Sequence, residues 1–161
     1  MIPKKTNTIT LFMLATVLMA LSGAVLTAAD LQVGTVFPAL QGEDQHEQEM
    51  TIGTGTAHVV VTFTMGMGKK ANKYFAEHGE GFLETHSAVL INDIFGMPAV
   101  GRVFALPKMR KYPHRIFLAD ADGLLDPFPQ EEDRATVFDL DAEMRIIAIR
   151  FWDPEDGSTP F

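Results

Sequence analysis

The residue group with the most chemical promise is Met65-Gly66-Met67-Gly68-Lys69-Lys70-Ala71, which follows a β-branched run. Gly66, Gly68 and Ala71 fit the G-x-G-x-x-A turn that brings a dinucleotide pyrophosphate onto a helix start. The fit stops there, because the acid wanted at the end of the next strand about 20 residues on has only Asp93 to supply it, 27 residues beyond Gly66. A P-loop is excluded, since Phe63 stands where its first glycine would be. A less demanding reading uses the same atoms: free amides at a helix start, with Lys69 and Lys70 beside them, hold an anion. The plainest reading is a tight turn with solvated lysines.

The other candidates are weaker. The histidines at 46, 58, 78, 86 and 114 show no H-x-x-x-H or H-x-x-E-H spacing, so no metal site is expected. Asp120-Ala121-Asp122-Gly123 has its glycine too early for an EF-hand loop and no glutamate at the twelfth position. Ser87 and Ser158 do not stand in G-x-S-x-G, and the acidic run Glu43 to Glu49 reads as a solvated loop. The chain contains no cysteine, which removes disulfides, thiolate nucleophiles, dithiol redox chemistry and sulfur-ligated metal centres. Thirteen Lys plus Arg against 21 Asp plus Glu, a net charge of -8, argues against a phosphate-backbone partner. No catalytic residue can be named, and no resident cofactor is expected.

The elements that must position these residues are preceded by an export pattern. Lys4 and Lys5, the uncharged run Ile9 to Leu26 and the small residues Thr27-Ala28-Ala29 have the order of a secretory signal peptide. Residues 1–29 are therefore expected to be removed and the chain to be periplasmic, with cleavage after Ala24 or an uncleaved membrane anchor as alternatives. Both early lysines leave with that segment and no acid does, so 132 residues with a net charge of -10 remain. Residues 30–56 are turn-rich and read as an N-terminal arm lying over the surface.

Ala57 to Thr64, Ser87 to Asp93 and His114 to Ala119 read as three strands. Between them lie a helix from Lys69, with Ala71, Tyr74, Phe75 and His78 on one face, and a helix after Pro98 whose inward positions would be Val100, Val103 and Phe104, ending before Pro107. Arg134 to Leu140 and Arg145 to Trp152 form a C-terminal hairpin across Asp141-Ala142-Glu143-Met144, and 153–161 is a tail. If the first three strands lie side by side, two right-handed crossovers put both helices on one sheet face. Ile146, Ala148 and Trp152 alternate with Ile147, Ile149 and Phe151, so the second face also needs cover. Either the arm and the 120–133 loop supply it, or a partner does.

This order resembles a thioredoxin-like chain of the peroxiredoxin branch. The resemblance lies in Val33-Gly34-Thr35-Val36-Phe37-Pro38, in His58 to Phe75, in Tyr112-Pro113-His114-Arg115-Ile116-Phe117-Leu118-Ala119-Asp120 with Gly123, and in Arg134 to Asp141. Among such chains it is most similar to the small exported YtfJ-like family. The resemblance implies an α/β fold, a two- or three-layer sandwich around a mixed sheet of about five strands, over residues 57–152. It also implies that the turn holding a nucleophilic cysteine in redox-active relatives is here Thr64 to Lys70, without sulfur. Arg134 matches an arginine that stabilises the thiolate in peroxiredoxins, and its role would pass to a bound anion. The family's further helices over the second face are not evident, given Pro127, Pro129 and the short tail. The expectation is an exported, non-redox domain that binds a protein partner, or itself, through the second sheet face. The alternative is an anion or a nucleotide- or flavin-type cofactor held by Gly66, Gly68, Lys69, Lys70 and Arg134.

Overall fold

The computed structural model describes residues 30–161; the expected signal peptide, residues 1–29, lies outside them. The strands are β1 (Leu40–Asp44), β2 (Glu49–Ile52), β3 (His58–Thr62), β4 (Ala88–Asp93), β5 (Ile116–Ala119), β6 (Ala135–Leu140) and β7 (Ile146–Trp152). The helices are α1 (Met65–Glu77), α2 (Phe82–Thr85) and α3 (Ala99–Met109). All seven strands form one mixed sheet in the order β2-β1-β5-β4-β3-β6-β7. β3, β4 and β5 are parallel, and β6 and β7 form the expected antiparallel hairpin. The β-branched run Val59-Val60-Val61 is buried on both faces, as a central strand requires. Its alternate side chains enter two cores.

The helix-side core holds Val60, Leu90, Ile116, Val137 and Trp152 against Met67, Ala71 and Phe75 of α1, so the two crossovers do share a face. The core on the second face holds Val59, Val61, Ile91, Phe117 and Phe138, roofed by Phe37 of the arm and by Leu125 and Phe128 of the 120–133 loop. The arm is fastened to the sheet edge by Phe37 N–H to Met144 O (2.8 Å) and Ile146 N–H to Thr35 O (2.9 Å), and Leu31 N–H reaches Pro127 O at 2.7 Å. Of the two covers left open by the sequence, the chain's own segments are the one observed.

Four expectations are corrected. The 30–56 arm is only partly an arm, since β1 and β2 extend the sheet beside β5 and raise the strand number to seven. Their acidic turn is not merely solvated: Asp44 is buried, paired with Arg115 at 2.7 Å. Burial alone would raise its carboxyl, but Arg115 and the N–H groups of Gln48 and His46 outweigh that and hold it below the usual carboxylate range. Secondly, the pairing of β6 with β7 shifts register beside Leu140, leaving Ile147 unpaired and 57% exposed. That bulge flips the phase, so Ile146 and Trp152 lie in opposite cores instead of on one face.

Thirdly, α3 runs through Pro107 and turns Val100, Val103 and Phe104 outward, while Leu106 and Met109 face the sheet. Lastly, the 153–161 segment is docked: Trp152 Nε1–H donates to Ser158 O, and the Phe161 ring stacks near Phe75 (6.2 Å between centroids) and His58 (4.8 Å). Among the described residues no helix is long and apolar enough to cross a membrane.

Candidate functional site

The glycine pair expected in a turn lies inside α1. Thr64, extended at φ -128°, caps the helix: its Oγ1 accepts from Met67 N–H at 3.2 Å, so the first turn begins at Met65 rather than Lys69. Gly66 and Gly68 are thereby helical, and the loop a dinucleotide turn would need is absent. A Cβ on Gly68 would meet Thr62 Oγ1 and Asn92 Nδ2 at 3.4 Å, an ordinary contact, which places Gly68 directly over the ends of β3 and β4. Thr64→Ala is expected to cost about 1 kcal/mol of stability, read from the urea unfolding midpoint.

The five candidate residues do not converge. Gly68 and Lys69 line one cleft. Lys70 points away to Glu155 at 2.7 Å, and that hydrogen bond raises its pKa. Arg134 pairs with Glu131 at 3.5 Å and donates weakly to Phe151 O. No arginine therefore stands ready at the start of α1.

The cleft that contains Gly68 and Lys69 is a site the sequence did not disclose. It opens between α1 and α3, with a volume of about 650 Å³, within the range of small-molecule sites. Its walls are mainly apolar, with Met65 and Ala76 from α1, Ile94 and Met97 from the β4–α3 connection, and Ala105 and Met109 from α3. Lys69, Lys73 and Lys108 stand around it, with Asp93 and Glu77 as the acids. Lys73 is 3.7 Å from Glu77, whereas Lys69 and Lys108 form no ion pair among the described residues. The wall formed by α3 is anchored by Arg102, which donates to Ile94 O (2.9 Å) and Met97 O (3.2 Å) and pairs with Asp120.

The floor is polar and ordered. Thr62 Oγ1 donates to Asn92 Oδ1 at 2.9 Å, which leaves Asn92 Nδ2 without a hydrogen-bond acceptor among the described residues while the residue is 6% exposed. Asn72 Nδ2 donates to Gly68 O at 2.7 Å, and its Oδ1 lies 2.9 Å from His114 Nε2. That fixes the tautomer: Nε2 carries the proton, and buried Nδ1 has no partner. Burial pushes the imidazole down to about 4. Among the described residues no three His, Asp or Glu side chains gather as a metal site would.

No family model matches the chain, and no curated protein matches it. Solved structures do. A thioredoxin domain of a thiol-disulfide oxidoreductase from Bacteroides vulgatus is similar over 74% of this chain and 89% of its own, at 18% identity and a TM-score of 0.52. The peroxidoxin BcpB of Mycobacterium tuberculosis is similar over 78% and 90%, at 14% identity and 0.52. A thiol:disulfide interchange protein, DsbE, from Chlorobium tepidum is similar over 79% and 91%, at 9% identity and 0.56. The fold is thus thioredoxin-like, in a chain whose lack of cysteine denies it the thiol chemistry those names describe.

Proposed function

We propose that this is an exported, non-redox thioredoxin-like domain that works by binding a small organic molecule with an apolar body and an anionic end in the α1–α3 cleft. The observation that carries the reading is the apolar cleft of about 650 Å³ with two unpaired lysines, Lys69 and Lys108, beside it. In a chain with 21 acidic side chains, most cations of residues 30–161 are held by carboxylates; among those that are not, Lys69 and Lys108 border the cleft. Asn92, which lines the cleft, adds an Nδ2 donor with no protein acceptor among the described residues, suited to a carboxylate or carbonyl oxygen. Export rests on the Lys4-Lys5 start, the Ile9 to Leu26 run and Thr27-Ala28-Ala29. Mass spectrometry of the fractionated protein checks it: an N-terminus at Asp30 in the periplasmic fraction is expected.

Calorimetric titration with dodecanoate, with dodecanol as the uncharged control, tests the site. Dodecanoate is expected to bind and dodecanol to bind at least tenfold more weakly. Lys69→Glu with Lys108→Glu removes that preference, and Ala105→Trp, which fills the cleft, removes both. Equal binding of the two probes, or dodecanoate binding that survives Ala105→Trp, sinks the reading.

A further inference from the structure

We infer that α3 is the moving wall of the cleft, a helix that opens from the sheet on its own and that a ligand's apolar body seats. The seating rests on the ligand proposed for the cleft; the opening does not. α1 buries Met67, Gly68, Ala71, Asn72 and Phe75, whereas α3 buries Met109 alone among its 11 residues. Leu106 packs beside Met109 half-buried, and Val100, Val103 and Phe104 face outward, adding nothing to the hold of α3 on the sheet. Where a seated helix would meet core, α3 has space on both sides. Ala105 and Met109 line the α1–α3 cleft, Arg102 and Leu106 line a second cavity of about 310 Å³ towards β1, and Ile94 lines both.

The helix is also weak in itself. Pro107 has no N–H to give, so Val103 O has no i→i+4 partner in the ladder, and Gly101 and Pro107 are the poorest of helix formers. What holds α3 is at its ends. Arg102 donates to Ile94 O (2.9 Å), Met97 O (3.2 Å) and Phe95 O (3.3 Å) and pairs with Asp120. Arg110, just past the last turn, donates to Gln45 O (2.8 Å) and pairs with Glu47. Bonds of this kind are replaced by bonds to water when the helix lifts, so they tether it without packing it down. A segment with so few buried apolar contacts opens locally, well below the free energy of global unfolding. An apolar ligand body in the cleft supplies the contacts that α3 lacks, so binding and closure are one equilibrium.

Amide hydrogen exchange of the purified protein, read by mass spectrometry on peptides of each element, is the test. Without ligand, α3 amides should exchange at least about a hundredfold faster than the inner amides of α1, at a rate that sub-denaturing urea leaves unchanged, as local opening requires. Dodecanoate at about ten times its dissociation constant should slow α3 about tenfold and leave the exposed His46–Gln48 turn unchanged. Arg102→Met, which cuts one tether, should speed α3 about tenfold or more with α1 unchanged. Ala105→Leu, which puts more apolar bulk into the cleft from α3 itself, should slow α3 with no ligand present. α3 amides as slow as those of α1, or exchanging only as urea unfolds the whole domain, overturn the inference and leave the ligand reading standing. So does α3 exchange that bound dodecanoate does not change. No dodecanoate binding by calorimetry sinks the ligand reading and the seating with it, while the ligand-free rates and the two variants still decide the opening.

Discussion

Phe128→Ala is expected to lower the stability of the fold by about 3–5 kcal/mol, a large share of the ~5–15 kcal/mol typical of a domain. Phe128 is 3% exposed and belongs to the loop after β5, which has no regular structure of its own to hold it. What holds it is a trio of rings from three separate segments. Phe128 meets Phe37 edge-on at 5.6 Å and Phe138 edge-on at 5.6 Å, while Phe37 meets Phe138 at 5.3 Å. Each pair adds about 0.5–1.5 kcal/mol beyond the area it buries, and removing Phe128 breaks two of the three. The substitution also uncovers the second sheet face. Urea unfolding measures the loss, and binding of anilinonaphthalene sulfonate to the native variant measures the uncovering. A loss under about 1 kcal/mol without added dye binding would show that the loop is not the roof of this core, and the second face would again be a candidate for a partner.

That the roof is a loop and an arm explains which parts of the fold were legible in the sequence. β3, β4 and β5 could be read because Val59-Val60-Val61, Val89-Leu90-Ile91 and Ile116-Phe117-Leu118 are dense apolar runs between turn residues, and chirality then placed both helices. β1 and β2 could not. Gln41-Gly42-Glu43-Asp44 has few apolar positions although β1 is paired on both sides, and what places it is tertiary. A Cβ at Gly42 would lie 2.8 Å from Phe117 Cζ, and the Gln45 side chain continues the ladder by accepting from Ile116 N–H and donating to His114 O. None of these contacts leaves a period in the sequence.

The face of α3 was misread for a related reason. Spacing finds a stripe but not which of two stripes turns inward, and on α3 Leu106 and Met109 compete with Val100, Val103 and Phe104. Of the five residues that sequence spacing nominated for an anion site, Gly68 and Lys69 line the α1–α3 cleft. Spacing does not give their company, because Lys70 is held by Glu155, an acid that only the fold brings near, and Arg134 by Glu131, three residues before it. Asn72 and Asn92 were passed over entirely. A buried amide gives no sequence signal distinct from a surface one.

Acid should destabilise this protein before its carboxylates protonate, and His114 is the group responsible. Its Nε2–H is committed to Asn72 Oδ1, and a proton added to Nδ1 would create a buried N–H with nothing to receive it. Tyr112 stacks on the ring at 5.6 Å and Phe75 meets it edge-on at 5.9 Å, so neither supplies an acceptor. The folded imidazole accordingly titrates at about 4, against about 6.5 when unfolded. Between those values the unfolded chain binds the extra proton and the folded chain does not, so stability is full above pH 6.5 and falls as the pH drops towards 4. The slope is about 1.4 kcal/mol per pH unit and the total about 3 kcal/mol. Asp44 adds to the loss only lower down, as pH falls through the range where its depressed carboxyl protonates. Urea midpoints at pH 7.5, 6, 5 and 4.5 read the slope. His114→Gln should flatten it, and because the other histidines are common to both proteins their titration cancels in the difference. Parallel pH profiles for the two proteins would remove His114 as the cause. Because the folded imidazole stays neutral until about pH 4, the Asn72 side chain that floors the cleft keeps its bond to Nε2, and acid acts on the stability of the fold in this window without first altering the cleft.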